Sequence, residues 1–332
     1  MFFSLKKNVV FLLSGCSLLG SSFSASGNNF EMGIKSANGT FTANFYYLYA
    51  GDNFDMNSSF RQDFQNSVVR ALNTIEQTFV PKDPESVKQS GGINVGIRLN
   101  LNSDGNRGAV SQPYPNDSIS KKTWNESDFG GNFAGKKASI NNVEAMLKYG
   151  ETLPYENGYR QDVSLTFIDI DQSFSYFYAG ASPSGIQSHQ RDVESLTLHE
   201  MGHILGFNVG IEDSQYSALE ALIKMEEGAP EFGNKYYFQG ETVMDTIGGN
   251  GIQLMPGAYG RPDPHIMPNG DYPYTMLPGT DAPLGSTRRT YSDRELDMFK
   301  DMGWTLASIP EPSSVLLCAF GLGTLMATRR RQ

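Results

Sequence analysis

The spacing of apolar residues predicts several strands and helices along the middle of the chain. Apolar side chains occupy every second position over residues 93–101 and again over residues 163–167, which predicts two half-buried strands. A first strand is expected over residues 41–49. Apolar residues recur at intervals of three or four over residues 59–79, so this segment is expected to form an amphipathic helix. A short helix is expected over residues 141–148.

A second long helix is predicted between Asp192 and Gly206. Asp192 can accept the free N–H groups at its start, and Gly206 can take the left-handed conformation that ends a helix. Residues 102–137 are rich in Gly, Ser and Asn and are expected to form a long loop. Beyond Gly206 the chain is irregular until Ser292-Asp-Arg-Glu295, a capping box that predicts a final helix.

The N-terminal segment has the features of a secretory signal peptide. Lys6 and Lys7 precede an apolar run over residues 9–19, and small residues follow up to Ala25. Residues 1–25 are therefore expected to direct export and to be removed. A lipoprotein signal ending at Cys16 is the alternative, but the apolar run continues past that cysteine.

The C-terminal segment combines Pro310-Glu311-Pro312, an apolar span over residues 315–327 and three arginines. This resembles the PEP-CTERM sorting signal of Gram-negative bacteria. The resemblance implies that residues 310–332 form a short membrane helix with a basic inner end, cut at Pro-Glu-Pro by a transpeptidase, the exosortase. The protein is then expected at the cell surface or in the extracellular matrix, after transient anchoring in the inner membrane. An ordinary C-terminal anchor is the alternative, for which the span is shorter than the usual length of about twenty residues.

Charge and cysteine content narrow the class of protein. The chain has 26 basic and 36 acidic residues and a net charge of −10. This argues against binding to nucleic acid and is compatible with structural Ca²⁺ sites. The two cysteines, Cys16 and Cys318, lie in the two terminal segments. The body of the protein, residues 26–309, therefore has no disulfide and no thiolate ligand, and its length suits one large domain.

A histidine pair lies within the second predicted helix. His199 and His203 are four residues apart and project from one helix face, with Glu200 beside them. Two imidazoles so placed can hold one Zn²⁺, while the neighbouring carboxylate acts on a water that the metal activates. The pattern His-Glu-Met-Gly-His is therefore typical of zinc hydrolases, although five residues can also match by chance.

Zinc requires a further protein ligand, and the sequence offers several. His265 is the only histidine downstream of the pair. A glutamate from a helix over residues 214–227 would instead make the site similar to that of a gluzincin. His189, on a polar segment before the motif, is expected to be a solvated loop residue. The carboxylates that follow the pair are Glu212, Asp213, Glu220, Glu226 and Asp245.

Gly206 follows the pair at the spacing His-Glu-x-x-His-x-x-Gly. This resembles the motif of the metzincin metalloproteases, in which a third ligand and a methionine turn come later. Short-spaced members carry their third ligand at the position of Val209, which cannot bind zinc. The longer spacing to His265 is similar to that of leishmanolysin-like metzincins. Met276 then follows at a distance that suits their methionine turn, with Met244 as the alternative.

The resemblance implies an α+β fold with a single catalytic domain over residues 26–309. A twisted, mostly parallel sheet and helices are expected above the active-site helix, and an irregular lower half ending in a helix below it. It also implies zinc ligation by His199, His203 and His265, with Glu200 as the general base. The expected function is an exported zinc endopeptidase that hydrolyses protein or peptide substrates. The alternative is a non-catalytic, zinc-containing surface or biofilm-matrix binding protein on the same scaffold.

Overall fold

The computed structural model describes most of the predicted body of the protein. The predicted sorting signal over residues 310–332 lies outside the described residues, as does the signal peptide except for Ser24 and Ala25. No helix of the described part is both long and apolar enough to cross a membrane. The described ranges are 24–25, 28–48, 58–101, 108–113, 135, 137–138, 140–151, 162–169, 176–209, 215–227, 234–257, 262–268, 274–276 and 287–308.

These residues form strands both before and after the helix that carries the histidine pair. The strands are β1 (Ser24–Ala25), β2 (Asn28–Lys35), β3 (Phe41–Leu48), β4 (Ile93–Leu101), β5 (Gly108–Pro113), β6 (Lys137–Ala138), β7 (Val163–Asp169), β8 (Phe177–Tyr178), β9 (Arg191–Asp192), β10 (Gln215–Tyr216), β11 (Ile223–Glu226), β12 (Lys235–Phe238), β13 (Ile252–Pro256) and β14 (Pro262–Ile266).

The helices range from a single turn to six turns in length. They are α1 (Ser58–Thr78), α2 (Pro84–Gln89), α3 (Asn142–Glu144), α4 (Val193–Ile204), α5 (Ala218–Ala221), α6 (Glu241–Ile247) and α7 (Asp293–Asp301). A π-helical turn over Ala145–Tyr149 continues α3, and a 3₁₀ turn is formed by Pro183–Gly185. Mixed sheets and helices of this kind place the protein in the α+β class.

The main sheet has six strands in the order β1-β2-β3-β4-β7-β5. Its central strands β3, β4 and β7 are parallel, whereas the pairings β1–β2, β2–β3 and β5–β7 are antiparallel. The sheet is mixed, so the prediction of a mostly parallel sheet is wrong. One cause is the tight turn over residues 36–40, because such a turn joins antiparallel neighbours. The alternation that predicted the strands carries no information on their direction.

Helix α1 covers the sheet through a cluster of aromatic rings. Phe64 packs edge-on against Phe167 of β7 and Phe45 of β3, with centroid distances of 5.0 and 6.3 Å. The buried side chains of α1 fall at the predicted helical spacing, and those of β4 at every second position. These two predictions are confirmed, as are the strands expected near residues 41–49 and 163–167.

A second aromatic cluster joins the end of α1 to the C-terminal segment. Phe79 packs edge-on against Tyr291, Phe299 and Trp304, with centroid distances of 5.9, 4.8 and 5.2 Å. The predicted capping box is present at the start of α7, where Ser292 and Glu295 satisfy each other's backbone N–H groups. The final helix therefore packs on the same core as the first one.

The described chain after α4 differs from the sequence prediction. The chain expected to be irregular forms a four-stranded antiparallel sheet in the order β11-β12-β13-β14. The segment over residues 214–227 was considered as a helix, but its described residues, 215–227, are helical only at Ala218–Ala221 and continue as β11. Residues 223–226 pair with β12 instead, and this tertiary pairing decides the local structure. The last strand of the sheet, β14, carries His265.

Candidate metal centre

Helix α4, which carries the histidine pair, is fixed at its N-terminal end by buried ion pairs. Asp192 Oδ2 accepts from the Ser195 N–H at 2.9 Å, so the predicted N-cap is confirmed. Arg288 binds Asp192 and Glu194, each at 2.9 Å, from the segment that precedes α7. Glu194 also pairs with Arg70 of α1 at 2.8 Å. Acidic groups at this end interact favourably with the positive end of the helix dipole. Their ion pairs also join α4 to α1 and to the segment that precedes α7.

At the C-terminal end of α4, the backbone carbonyls of residues 201–205 all accept hydrogen bonds. Gly206, with φ +115°, turns the chain so that the next backbone N–H groups bond back into the helix. The carbonyls of Ile204 and Leu205 accept from Asn141 Nδ2 and Trp304 Nε1, at 2.5 and 2.8 Å. The predicted helix stop at Gly206 is confirmed, and the helix is a rigid support for its side chains.

The structure brings His265 next to the pair on α4. One nitrogen from each of the three imidazoles lies within 4.8 Å of the others. The Nε2 atoms of His199 and His203 are 3.3 Å apart. Two nitrogens bound at about 2.0–2.1 Å to one tetrahedral zinc lie roughly 3.3–3.4 Å apart, so this spacing fits a shared ion.

Each ring has a hydrogen-bond acceptor at its other nitrogen. The Nδ1 atoms of His199 and His203 lie 2.8 and 2.6 Å from the carbonyl oxygens of Thr275 and Phe207. His265 Nδ1 contacts Asp263 Oδ1. A carbonyl only accepts, so Nδ1 of both helix histidines carries the hydrogen and Nε2 keeps its lone pair for a metal. The three rings therefore fit the donor set of a zinc site.

The protonation state of the rings suits metal binding as well. Burial lowers the pKa of His199 well below its ordinary value, and repulsion from a protonated His203 would lower it further. Burial also lowers the pKa of His203 to about 4, with a further contribution from His265. Both rings are neutral at neutral pH, which is the form that binds metal ions.

Met276 packs directly against the histidine helix. It is fully buried in the turn over residues 274–276, and a Cβ atom added at Gly202 would overlap its sulfur. Glycine at position 202 therefore allows the close approach of this turn to α4. The alternative, Met244, lies within the helix α6 and not in a turn. The role of Met276 as a methionine turn beneath a metal stays a prediction.

The other candidate ligands lie elsewhere or outside the described residues. Glu220 accepts the backbone N–H of Ser217 at 2.9 Å in the capping box of α5. Glu226 and Asp245 are exposed on β11 and α6, and His189 is exposed on a loop, as predicted. Within the described ranges the three histidines are the only group of three or more His, Cys, Asp or Glu residues that could hold a metal ion. No carboxylate cluster for Ca²⁺ is found there. The described structure does not cover Glu212 and Asp213.

Sequence reasoning missed the groups that orient the rings. Asp263, two residues before His265, could have been found as a carboxylate next to a candidate ligand. The carbonyls of Thr275 and Phe207 could not, because every residue has one. Glu200 is 5% exposed and follows His199 directly on α4.

Comparison with protein-family models, with curated proteins and with solved structures found no match to this chain. The geometry of the three imidazoles and their hydrogen-bond partners is therefore the basis for a functional assignment.

The contact between Gly202 and Met276 generates a first prediction. Alanine usually stabilises a helix relative to glycine by roughly 1 kcal/mol, yet Gly202→Ala is expected to cost about 1–3 kcal/mol because its methyl group meets the Met276 sulfur. Urea unfolding measures this change. In a Met276→Ala background the methyl group has room, and the cost should disappear. An equal cost in both backgrounds would contradict the contact.

The environment of His203 generates a second prediction, for the metal-free protein. NMR titration of its ring should give a midpoint near 4 in place of the ordinary 6.5. The unfolded chain takes up this proton near pH 6.5 and the folded chain near pH 4, so this group lowers stability as the pH falls between these values. A midpoint close to 6.5 would show that the ring is not enclosed as described.

Proposed function

We propose that this protein is an exported zinc-dependent endopeptidase in which His199, His203 and His265 hold the metal. The observation that carries this proposal is the convergence of three imidazoles, each with an acceptor at Nδ1. Three protein ligands leave one position of a tetrahedral site open, which is the arrangement of catalytic and not of structural zinc. When bound, zinc would supply Lewis-acid activation of water and of the substrate carbonyl.

Glu200 is the proposed general base. It takes a proton from the attacking water and later passes it to the leaving amine of the cleaved peptide bond. Its position in the sequence gives it the same helix support as the histidines on either side. Its low exposure keeps bulk water away from the carboxylate, which favours proton transfer within the site over exchange with solvent.

Strand β5 is the proposed platform for an extended peptide substrate. It lies at one edge of the six-stranded sheet, where no described strand pairs with its outer side, and it packs against α4. The outer edge of such a strand offers N–H and C=O groups at the spacing of an extended backbone. A substrate bound there would pair through its main chain, so that many sequences could be accepted beside the histidine helix.

Export and surface display belong to the proposal through the two termini. The signal peptide would direct export across the inner membrane, and the sorting signal would be cleaved by the exosortase. This part rests on the resemblance of the terminal sequences, which lie almost entirely outside the described residues.

The proposal generates a third prediction, for casein or gelatin zymography of the purified protein. The wild type should cleave, lose activity with a chelator and regain it with Zn²⁺. Glu200→Gln should lower the rate by roughly 10²–10⁴-fold and keep the metal, since a general base contributes about that factor. His265→Ala should lose both metal and activity, because it leaves two protein ligands.

His189→Ala is the matched control, because it removes an imidazole from an exposed loop outside the cluster and should change neither property. Cleavage that survives the chelator or the Glu200→Gln change would contradict the proposed mechanism. A wild type that binds one zinc and cleaves nothing would favour the alternative of a binding protein.

A further inference from the structure

The carboxylate of Glu295 joins two separate parts of the structure. One oxygen, Oε2, accepts from the backbone N–H and the hydroxyl of Ser292, both at 2.8 Å, and closes the capping box of α7. The other, Oε1, accepts from the Met276 N–H at 2.7 Å. Glu295 is fully buried. One side chain therefore ties the start of α7 to the turn over residues 274–276.

The N–H group that Glu295 holds belongs to the peptide unit that orients His199. The carbonyl of Thr275 accepts from His199 Nδ1 at 2.8 Å, and this carbonyl and the Met276 N–H are the two ends of one peptide group. A peptide group is planar, so fixing its N–H fixes the direction of its C=O. Hydrogen bonds in a chain also polarise one another, which makes the carbonyl a better acceptor.

Burial of Glu295 is more than helix capping requires. The other capping box, at the start of α5, uses Glu220 in the same role, and that residue is only partly buried. Burial raises the pKa of Glu295 to about 7, so ionising this carboxylate inside the protein is costly. Besides closing the helix cap, this buried carboxylate has a second contact, with the Thr275–Met276 peptide group.

We propose that Glu295 is a positioning residue of the metal centre, which holds the Thr275–Met276 peptide group and through it the imidazole of His199. The inference deepens the proposed function and rests on it for the metal, but the positioning of the ring can be tested without metal. Glu295 touches neither metal nor substrate in this scheme and acts through the turn.

The test compares hydrogen exchange of the Met276 amide and of the His199 Nδ1–H by NMR in the metal-free full-length protein. In Glu295→Ala both protons should exchange faster, by about tenfold or more, since the hydrogen bond to Glu295 is lost and the peptide group is released. If this variant does not fold, Glu295→Gln replaces it. Faster exchange at Met276 with unchanged exchange at His199 would overturn the proposal in either variant.

Two controls separate positioning from helix capping. Ser292→Ala removes a cap at the same helix end but leaves the bond from Glu295 to Met276, and Glu220→Ala removes the equivalent capping carboxylate of α5. Neither should change the exchange of the His199 proton. Equal acceleration in Ser292→Ala and Glu295→Ala would assign the effect to unfolding of the helix start and overturn the proposal.

Metal affinity provides a second measurement with a separate meaning. If the wild type binds Zn²⁺, Glu295→Ala should weaken binding by about 10- to 100-fold, as loss of outer hydrogen-bond partners does, and should shift the visible spectrum of the Co²⁺ form. The controls should bind as the wild type does. If the wild type binds no zinc, the proposed function fails, while the exchange comparison still decides the role of Glu295.

Discussion

Three imidazoles packed beside one another need a hydrogen-bond acceptor for each buried N–H, and this requirement connects the site to the rest of the structure. Two protonated rings would repel at such distances, and burial keeps His199 and His203 neutral at neutral pH, so each of these two rings has one hydrogen to donate and one lone pair to present. The acceptors come from three places: the segment after α4, the turn over residues 274–276, and β14. Their placement fixes which nitrogen of each ring is left for the proposed metal.

All three acceptors belong to the chain after α4. The four-stranded sheet carries β14, where the pairing of Ile266 with Leu254 of β13 fixes the position of the adjacent His265. The Ile266 N–H donates to the Met276 carbonyl at 2.8 Å, which ties β14 to the turn that packs against Gly202. The described segments between Gly206 and His265 therefore form a folded support for the His265 ring.

Several elements up to the end of α4 could be predicted from the sequence, because they are long and regular. The spacing of apolar residues located α1, β4 and β7, and the helix signals at Asp192 and Gly206 bounded α4. The strands β11 to β14 are four or five residues long, too short for a clear alternation, and they are stabilised by pairing between distant segments. Strand β5 is also short and lies within a segment rich in Gly and Ser, so it was not predicted.

In the candidate site, too, local features could be predicted from the sequence and tertiary contacts could not. The pair on α4 followed from helix geometry, and His265 followed from being the only later histidine, with several carboxylates left as alternatives. Side chains that orient the rings from a distance could not be predicted. Glu295 illustrates this, because its capping box was visible in the sequence while its contact with the Met276 N–H depends on how α7 packs against the turn.

X-ray absorption spectroscopy of the purified full-length protein loaded with zinc tests the central claim most directly. The account predicts one zinc per chain, with three imidazole nitrogens at about 2.0–2.1 Å and one further light atom. A protein that takes up no zinc would contradict the account. So would a shell with only two imidazoles and added carboxylate oxygens, because His265 would then not be a ligand.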